Sequence, residues 1–155
     1  MRLLPPTRSC FGCGRTNPSG LRLQIETDGQ VVQARFMPRP EHAGFKNIVH
    51  GGILTTVADE LMAWACGVAA HRFAFCAELA TRFLHPARVG EELLATAELV
   101  SNRKNKLFEV RSSILRKELI ISSAAGKYLV MKETDMEQAL GDFEVPPDQI
   151  FGPPA

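Results

Sequence analysis

The chain has 155 residues, 45% of them hydrophobic and 23% charged, with a formal net charge of +1, which suits a single domain spanning 1–155 with a sizeable core. So even a balance gives no basic field for nucleic acid, and the basic residues are scattered apart from Arg103, Lys104 and Lys106. The apolar part of 1–6 is too short for a secretory signal, and the run at 61–70 is too short to cross a bilayer, so the expectation is a soluble, cytoplasmic protein without a nucleic-acid or membrane partner.

Residues 1–20 carry Pro5, Pro6 and Pro18 with Gly12, Gly14 and Gly20, and read as an irregular arm ahead of a core at 21–132. Cys10 and Cys13 form a CxxC within it. A closed zinc site needs four ligands, and no second CxxC or close CxxH follows, so no metal is expected; the plain reading is two small buried thiols.

From Leu21 the pattern turns two-periodic. Leu21, Leu23 and Ile25 alternate with Arg22, Gln24 and Glu26, Asp28-Gly29 supplies a hairpin turn, and Val32, Ala34 and Phe36 continue on a second strand that Pro38 and Pro40 end. A loop over 41–49 then delivers the chain to His50. Beyond Gly51, apolar residues at Ile53, Val57, Leu61, Trp64 and Val68 recur as one face of a helix that closes near Gly67. Four strands follow at 75–84, 92–100, 107–115 and 119–131, the last interrupted by Gly126. A short helix at 134–140 leads to a loose tail marked by Pro146, Pro147, Pro153 and Pro154.

The stretch 48–66 organises the rest. Gly51 and Gly52 at a helix start leave N–H groups at the positive helix end, the local chemistry that binds an oxygen carrying developing negative charge. Two turns on, Asp59 and Glu60 are carboxylates inside an apolar helix, which costs free energy unless each is paired, hydrogen-bonded, neutral or wet. At 100° per residue, Asp59 shares a side with Gly52, Thr55, Met62 and Cys66, whereas Glu60 falls beside Ile53 and Trp64. Asp59 is therefore the chemical candidate, and Glu60 a competitor that reads as buried or partner-bonded. His42, His71 and His85 read as loop or surface residues, and Glu78 as a strand acid paired with an arginine.

The order ββαββββ predicts an α+β fold in which a curved antiparallel sheet wraps around one long central helix. Such a sheet leaves edges, so a second copy is expected to cover them, giving a homodimer or a homotetramer.

VHGGILTTVADE at 49–60 and ELATRFLHPARVGEEL at 78–93 resemble the hotdog-fold thioesterases, in particular the acyl-CoA thioesterases of the phenylacetate-degradation type. CFGCGRTNPSGL at 10–21 resembles a subgroup of these. The resemblance covers roughly 10–132. It implies hydrolysis of an acyl-CoA thioester to free acid and CoA, at a site shared by two subunits, with no cofactor besides the CoA of the substrate. It also implies that the Gly52 N–H polarises the carbonyl, that Asp59 acts as nucleophile or general base, and that His50 shapes the loop or binds near the thioester, with Gly51 beside it.

Two positions depart from the family's pattern. A partner hydroxyl that orients water falls on Cys76, a poorer hydrogen-bonding group, so that task passes to Thr55 or Thr56 or weakens. The loop asparagine expected six residues before the histidine is replaced by Gly44, and Asn47 stands three before. These departures keep alive a non-catalytic acyl-CoA or fatty-acyl binding module on the same fold. Arg103, Lys104 and Lys106 are candidates for the nucleotide end of CoA, and Met62, Phe73 and Phe83 for the acyl chain.

Overall fold

The computed structural model describes residues 1–152. Asp28 builds its first turn: Oδ1 accepts from the N–H groups of Gln30 (2.9 Å) and Val31 (2.8 Å), and Gly29 takes φ +99°. On either side lie β2 (Ile25–Thr27) and β3 (Val31–Phe36), paired antiparallel. β2 is shorter than its alternation predicts. Residues 21–24 run instead against the arm, where the Leu21 and Leu23 N–H groups donate to the Phe11 and Gly12 carbonyls.

The remaining strands are β1 (Arg2–Leu3), β4 (Ala74–Phe83), β5 (Leu93–Arg103), β6 (Leu107–Arg116) and β7 (Leu119–Val130). They form one antiparallel sheet in the order β1-β2-β3-β5-β6-β7-β4, curved around α1 (Gly51–Ala70), which is the expected hotdog arrangement. Gly126 does not interrupt β7. It stays in register opposite Leu79 and Val110, and a Cβ there would come within 2.7 Å of the Tyr128 ring, so its missing side chain makes room for that ring.

α1 buries a wider arc than the predicted stripe. Leu54, Val57, Ala58, Leu61, Met62, Trp64, Ala65, Cys66 and Val68 are all enclosed, because the sheet bends around the helix and meets it with Val32, Phe36, Leu93, Phe108, Val110 and Ile114. Each large side chain so buried stabilises the fold by about 1.5–3 kcal/mol. The helix runs past Gly67 and stops where His71 takes φ 53°, in the left-handed region. At 20 residues and mean hydropathy 1.3 it is long and apolar enough to cross a membrane, but 56% of that window is buried inside the fold, as a core helix requires.

Both ends of the described chain are packed rather than loose. β1 pairs with β2, the Leu4 N–H donates to the Ile25 carbonyl at 2.7 Å, and Leu4 and Cys13 are buried. The expected terminal helix is α2 (Glu133–Leu140), and the predicted loose tail contains α3 (Pro147–Ile150) followed by Phe151, whose ring packs tilted against that of Phe73, with centroids 4.8 Å apart. The physical reason is apolar: Phe143, Ile150 and Phe151 close over Trp64 and Phe73 at the far end of α1. Pro153 and Pro154 lie outside the described residues. His42, read as a loop or surface residue, is buried, its Nδ1 accepting from the Arg39 N–H at 3.0 Å and its pKa lowered by burial.

Candidate active site

The site grows from the two ends of the first half of α1. His50 has extended backbone and caps the helix: its Nδ1 accepts the Gly52 N–H at 2.8 Å, while its carbonyl accepts from Ile53 at 2.9 Å. The Gly52 N–H, expected to polarise a carbonyl, is thus already taken by the side chain two residues before it. The Gly51 N–H has no partner among the described residues, and a Cβ on Gly51 would lie 3.0 Å from the Phe83 ring. Around this helix start, Ile48, Val49, Leu54, Phe83, Leu84 and Pro86 line an apolar recess of about 260 Å³.

Gly44 explains why the loop asparagine is displaced. A Cβ at Gly44 would stand 3.1–3.3 Å from the His50 ring and Cα, so the histidine occupies the room a side chain there would need. Asn47 sits at the loop tip with φ 61°, its carbonyl accepting from the Val89 N–H at 3.3 Å, and its side chain is exposed. Asparagine tolerates that left-handed backbone better than most residues, which gives its presence a local reason.

Asp59 and Glu60 point to different parts of the molecule, as the helical angles predict. Asp59 faces β4 and β7, where Tyr128 Oη donates to its Oδ1 at 2.6 Å. Tyr128 is fully buried, and burial followed by the Asp59 hydrogen bond pushes its phenol well above the usual range, so it stays a donor. Cys76 lies opposite Tyr128 in the β4–β7 ladder, and its thiol is pushed up by burial and then by the charge of Asp59. Thr55, one turn before Asp59, donates to Thr81 on β4 at 3.3 Å, and Thr56 is turned back onto the Gly52 carbonyl at 2.8 Å. Glu78 pairs with Lys127 across the ladder at 3.3 Å instead of with an arginine.

What results is a half-buried carboxylate with one oxygen pinned by a buried phenol and no described partner on Oδ2. That oxygen can take a proton from water or attack an electrophilic carbon. Tyr128 was not foreseen. Its signal was present, since it is the only tyrosine in the chain and a tyrosine on the inward face of a strand needs a partner for its hydroxyl.

Glu60 faces the arm, with its Oε2 3.3 Å from Cys10 Sγ, and does not join His50, Gly52 or Asp59. A cleft of about 710 Å³ lies on this side, lined by Cys10, Cys13, Glu60, Trp64, Phe73 and Phe143 among others, away from the Asp59 oxygen. Of the acyl-chain candidates, Met62 and Phe73 are core, while Phe83 borders the recess at the helix start.

A family model described as the thioesterase superfamily matches residues 46–119, from the loop before His50 to the start of β7. A thioesterase superfamily protein of known structure superposes with a TM-score of 0.73 at 22% identity, over 83% of this chain and 70% of that one. The fold is the hotdog fold, and over 46–119 the chain is similar to the thioesterase superfamily. Other superfamily-like structures include the PaaI protein of E. coli from the phenylacetic acid degradation operon, with TM-score 0.66, 22% identity and coverage of 72% of this chain and 81% of that one. A Streptococcus mutans protein solved with acetyl-CoA bound gives TM-score 0.65 at 14% identity, over 70% of this chain and 88% of that one. Among curated proteins, an uncharacterised Schizosaccharomyces pombe protein is 45% identical over 40 residues. That match spans 26% of this chain and 23% of the yeast protein. The thioesterase match includes His50, Gly52, Asp59 and Cys76 but not the Cys10–Cys13 arm or Tyr128.

Proposed function

We propose that the protein hydrolyses an acyl-CoA thioester to the free acid and CoA, with Asp59 as the reacting carboxylate. The observation that carries this reading is the Tyr128 hydrogen bond, which fixes one Asp59 oxygen and leaves the other available. CoA as the ligand is supported by related structures from Streptococcus mutans and Streptococcus pneumoniae, solved with acetyl-CoA and coenzyme A respectively. The chemistry calls for no cofactor besides the CoA of the substrate.

Gly52 and Asp59 are seven residues apart on one helix, so they stand about 10 Å apart along its axis. One thioester carbon cannot meet both within bonding reach. We therefore read the working unit as a homodimer, in which Gly52 of one copy and Asp59 of the other face the same carbonyl. The exposed apolar side chains Phe75, Phe83 and Leu84 at the β4 edge are the surface that a second copy would cover.

In the hydrolytic step, the Gly52 N–H leaves His50 Nδ1 and donates to the thioester oxygen, where negative charge builds up. Asp59 either removes a proton from water as that water attacks the carbon, or attacks it directly to give an anhydride that water then opens. In the first route the C–S bond breaks and the CoA sulfur leaves with the proton that Asp59 took from water. In the second the sulfur leaves as thiolate when the anhydride forms, and the water that opens the anhydride frees the Asp59 carboxylate and supplies the proton to the thiolate. In this reading Thr55 and Cys76, beside Asp59, orient the water, supported by Thr55 lying one turn before Asp59 and by Cys76 lying opposite Tyr128. Lys104 and Lys106 are exposed at the β5–β6 turn and suit the phosphates of CoA, whereas Arg103 is engaged with Glu109 at 3.3 Å.

The test is thiol release from a panel of aromatic, short and long acyl-CoA esters. Wild-type protein is expected to hydrolyse some of them and Asp59→Ala none, with an unchanged circular dichroism spectrum; retained hydrolysis in that variant removes Asp59 from the mechanism. A second reading, binding of acyl-CoA without turnover, is favoured by one observation, the occupation of the Gly52 N–H by His50. Calorimetric binding with no thiol release from any ester would select it.

A further inference from the structure

The arm holds a second chemical cluster that hydrolysis does not use. Cys10, Cys13 and Glu60 place two sulfurs and a carboxylate oxygen within 4.8 Å of one another. They come from two separate parts of the chain, a CxxC turn near the start and the middle of α1.

The turn around Cys10 is already shaped for metal-bound thiolate. The Gly12 N–H donates to Cys10 Sγ at 3.2 Å, and the Gly14 N–H closes the turn onto the Cys10 carbonyl at 2.9 Å. A Cβ at Gly14 would overlap that same carbonyl, and a Cβ at Gly12 would stand 2.5 Å from the Glu60 carboxyl, so both glycines are what lets sulfur and carboxylate converge. Thr7 Oγ1 supports the other thiol from 3.7 Å. Among the described residues Glu60 has no ion-pair partner, and its side-chain neighbour is Cys10 Sγ at 3.3 Å.

The three groups that could carry negative charge, one buried and two half-buried, converge without an ion-pair partner among the described residues, and a dication would supply the missing positive charge.

We propose that Cys10, Cys13 and Glu60 bind a borderline-soft divalent cation of the zinc type, fastening the arm to α1. Two thiolates exclude calcium and magnesium, which take oxygen ligands. Tetrahedral Zn–S bonds of about 2.3 Å set ligand–ligand edges near 3.8 Å, so the cluster needs only a small contraction from its present span. The fourth position opens to the 710 Å³ cleft, where water completes the coordination. The sequence alone offers the CxxC no nearby CxxH; its third candidate ligand comes in space, from a helix acid 47 residues beyond Cys13.

The full chain, reduced and stripped with a chelator, is titrated with zinc against a chromophoric competitor and, separately, with cobalt. One ion per chain is expected, with a thiolate-to-cobalt absorption band that Cys10→Ser or Cys13→Ser removes. Glu60→Gln should weaken zinc roughly tenfold or more, since even groups behind the ligands change metal affinity by about 10–100-fold. Zinc should also slow alkylation of Cys10 and Cys13 in the wild-type chain while leaving Cys76 unaffected, a readout that needs no variant to fold. Asp59→Asn should bind zinc as wild type does, which separates this site from the hydrolytic reading. Failure of the reduced protein to bind zinc, or equal affinity in Glu60→Gln, overturns the proposal.

Discussion

Tyr128, near the end of β7, donates a 2.6 Å hydrogen bond to Asp59, 69 residues earlier on α1. A hydrogen bond to a charged group contributes about 1.5–3 kcal/mol. If that bond orients the carboxylate for attack, Tyr128→Phe lowers kcat by roughly 10–100-fold, with little change in KM. Steady-state kinetics on the best ester checks this, and unchanged kcat assigns the phenol to packing alone.

His50→Ala removes the cap on the Gly52 N–H. Loss of an N-cap costs about 1 kcal/mol, so the denaturant midpoint should fall with an unchanged m-value. Because the variant also frees the Gly52 N–H, thiol release should survive in the folded protein. Loss of turnover without loss of stability would give the imidazole a direct part in the chemistry.

Cys76 tests the neighbourhood of Asp59. The Asp59 charge helps hold this thiol above its ordinary range, so it is protonated near neutrality and becomes alkylatable only as the pH rises. Asp59→Asn takes that charge away, lowers the thiol's pKa, and should shift the pH profile of iodoacetamide labelling at Cys76 toward lower pH. A profile that does not move would mean the two side chains are insulated from each other.

Separation of Gly52 from Asp59 along one helix gives a complementation experiment. Gly52→Pro removes the N–H and Asp59→Ala the carboxylate, so each pure variant should be inactive. Unfolded together in equal amounts and refolded, they should recover about a quarter of wild-type activity, because half the dimers are mixed and each carries one intact site. No recovery would place both groups of a working site in the same chain, or make the Asp59 reading wrong.

Phe151→Ala addresses the packed tail. The ring meets Phe73, Trp64 and the flat side of α1 at Gly67, where a Cβ would approach it to 2.6 Å. Truncating a buried phenylalanine costs about 3–5 kcal/mol, which chemical denaturation will resolve.

The sheet, the helix and the different directions of Asp59 and Glu60 were legible in the sequence, because period-2 and 3.6-residue patterns report which side of an element faces the core. Asp59 and Thr55 fell on one side of α1 by angle alone. The rest depended on pairings between distant segments that no local pattern encodes. Tyr128 meets Asp59 only because β7 lies between β6 and β4. Glu60 meets Cys10 only because the arm folds back over α1. The tail misled through its prolines: Pro146 and Pro147 initiate α3, and the apolar side chains after them are what dock it. Gly126 misled in a similar way, marking a close approach by Tyr128 and not a break.

The arm and the tail are also tied to each other. Arg2 donates to the Phe151 carbonyl at 2.6 Å, Thr7 bridges to Phe143, and the Arg8 N–H donates to the Asp142 carbonyl at 2.9 Å. Segments made first on the ribosome therefore find these partners only after residues 142–151 have emerged. The sheet can close around α1 during synthesis, but the arm bearing Cys10 and Cys13 completes its seating after the tail arrives, which makes order of manufacture and order of assembly run in opposite directions at this end of the molecule.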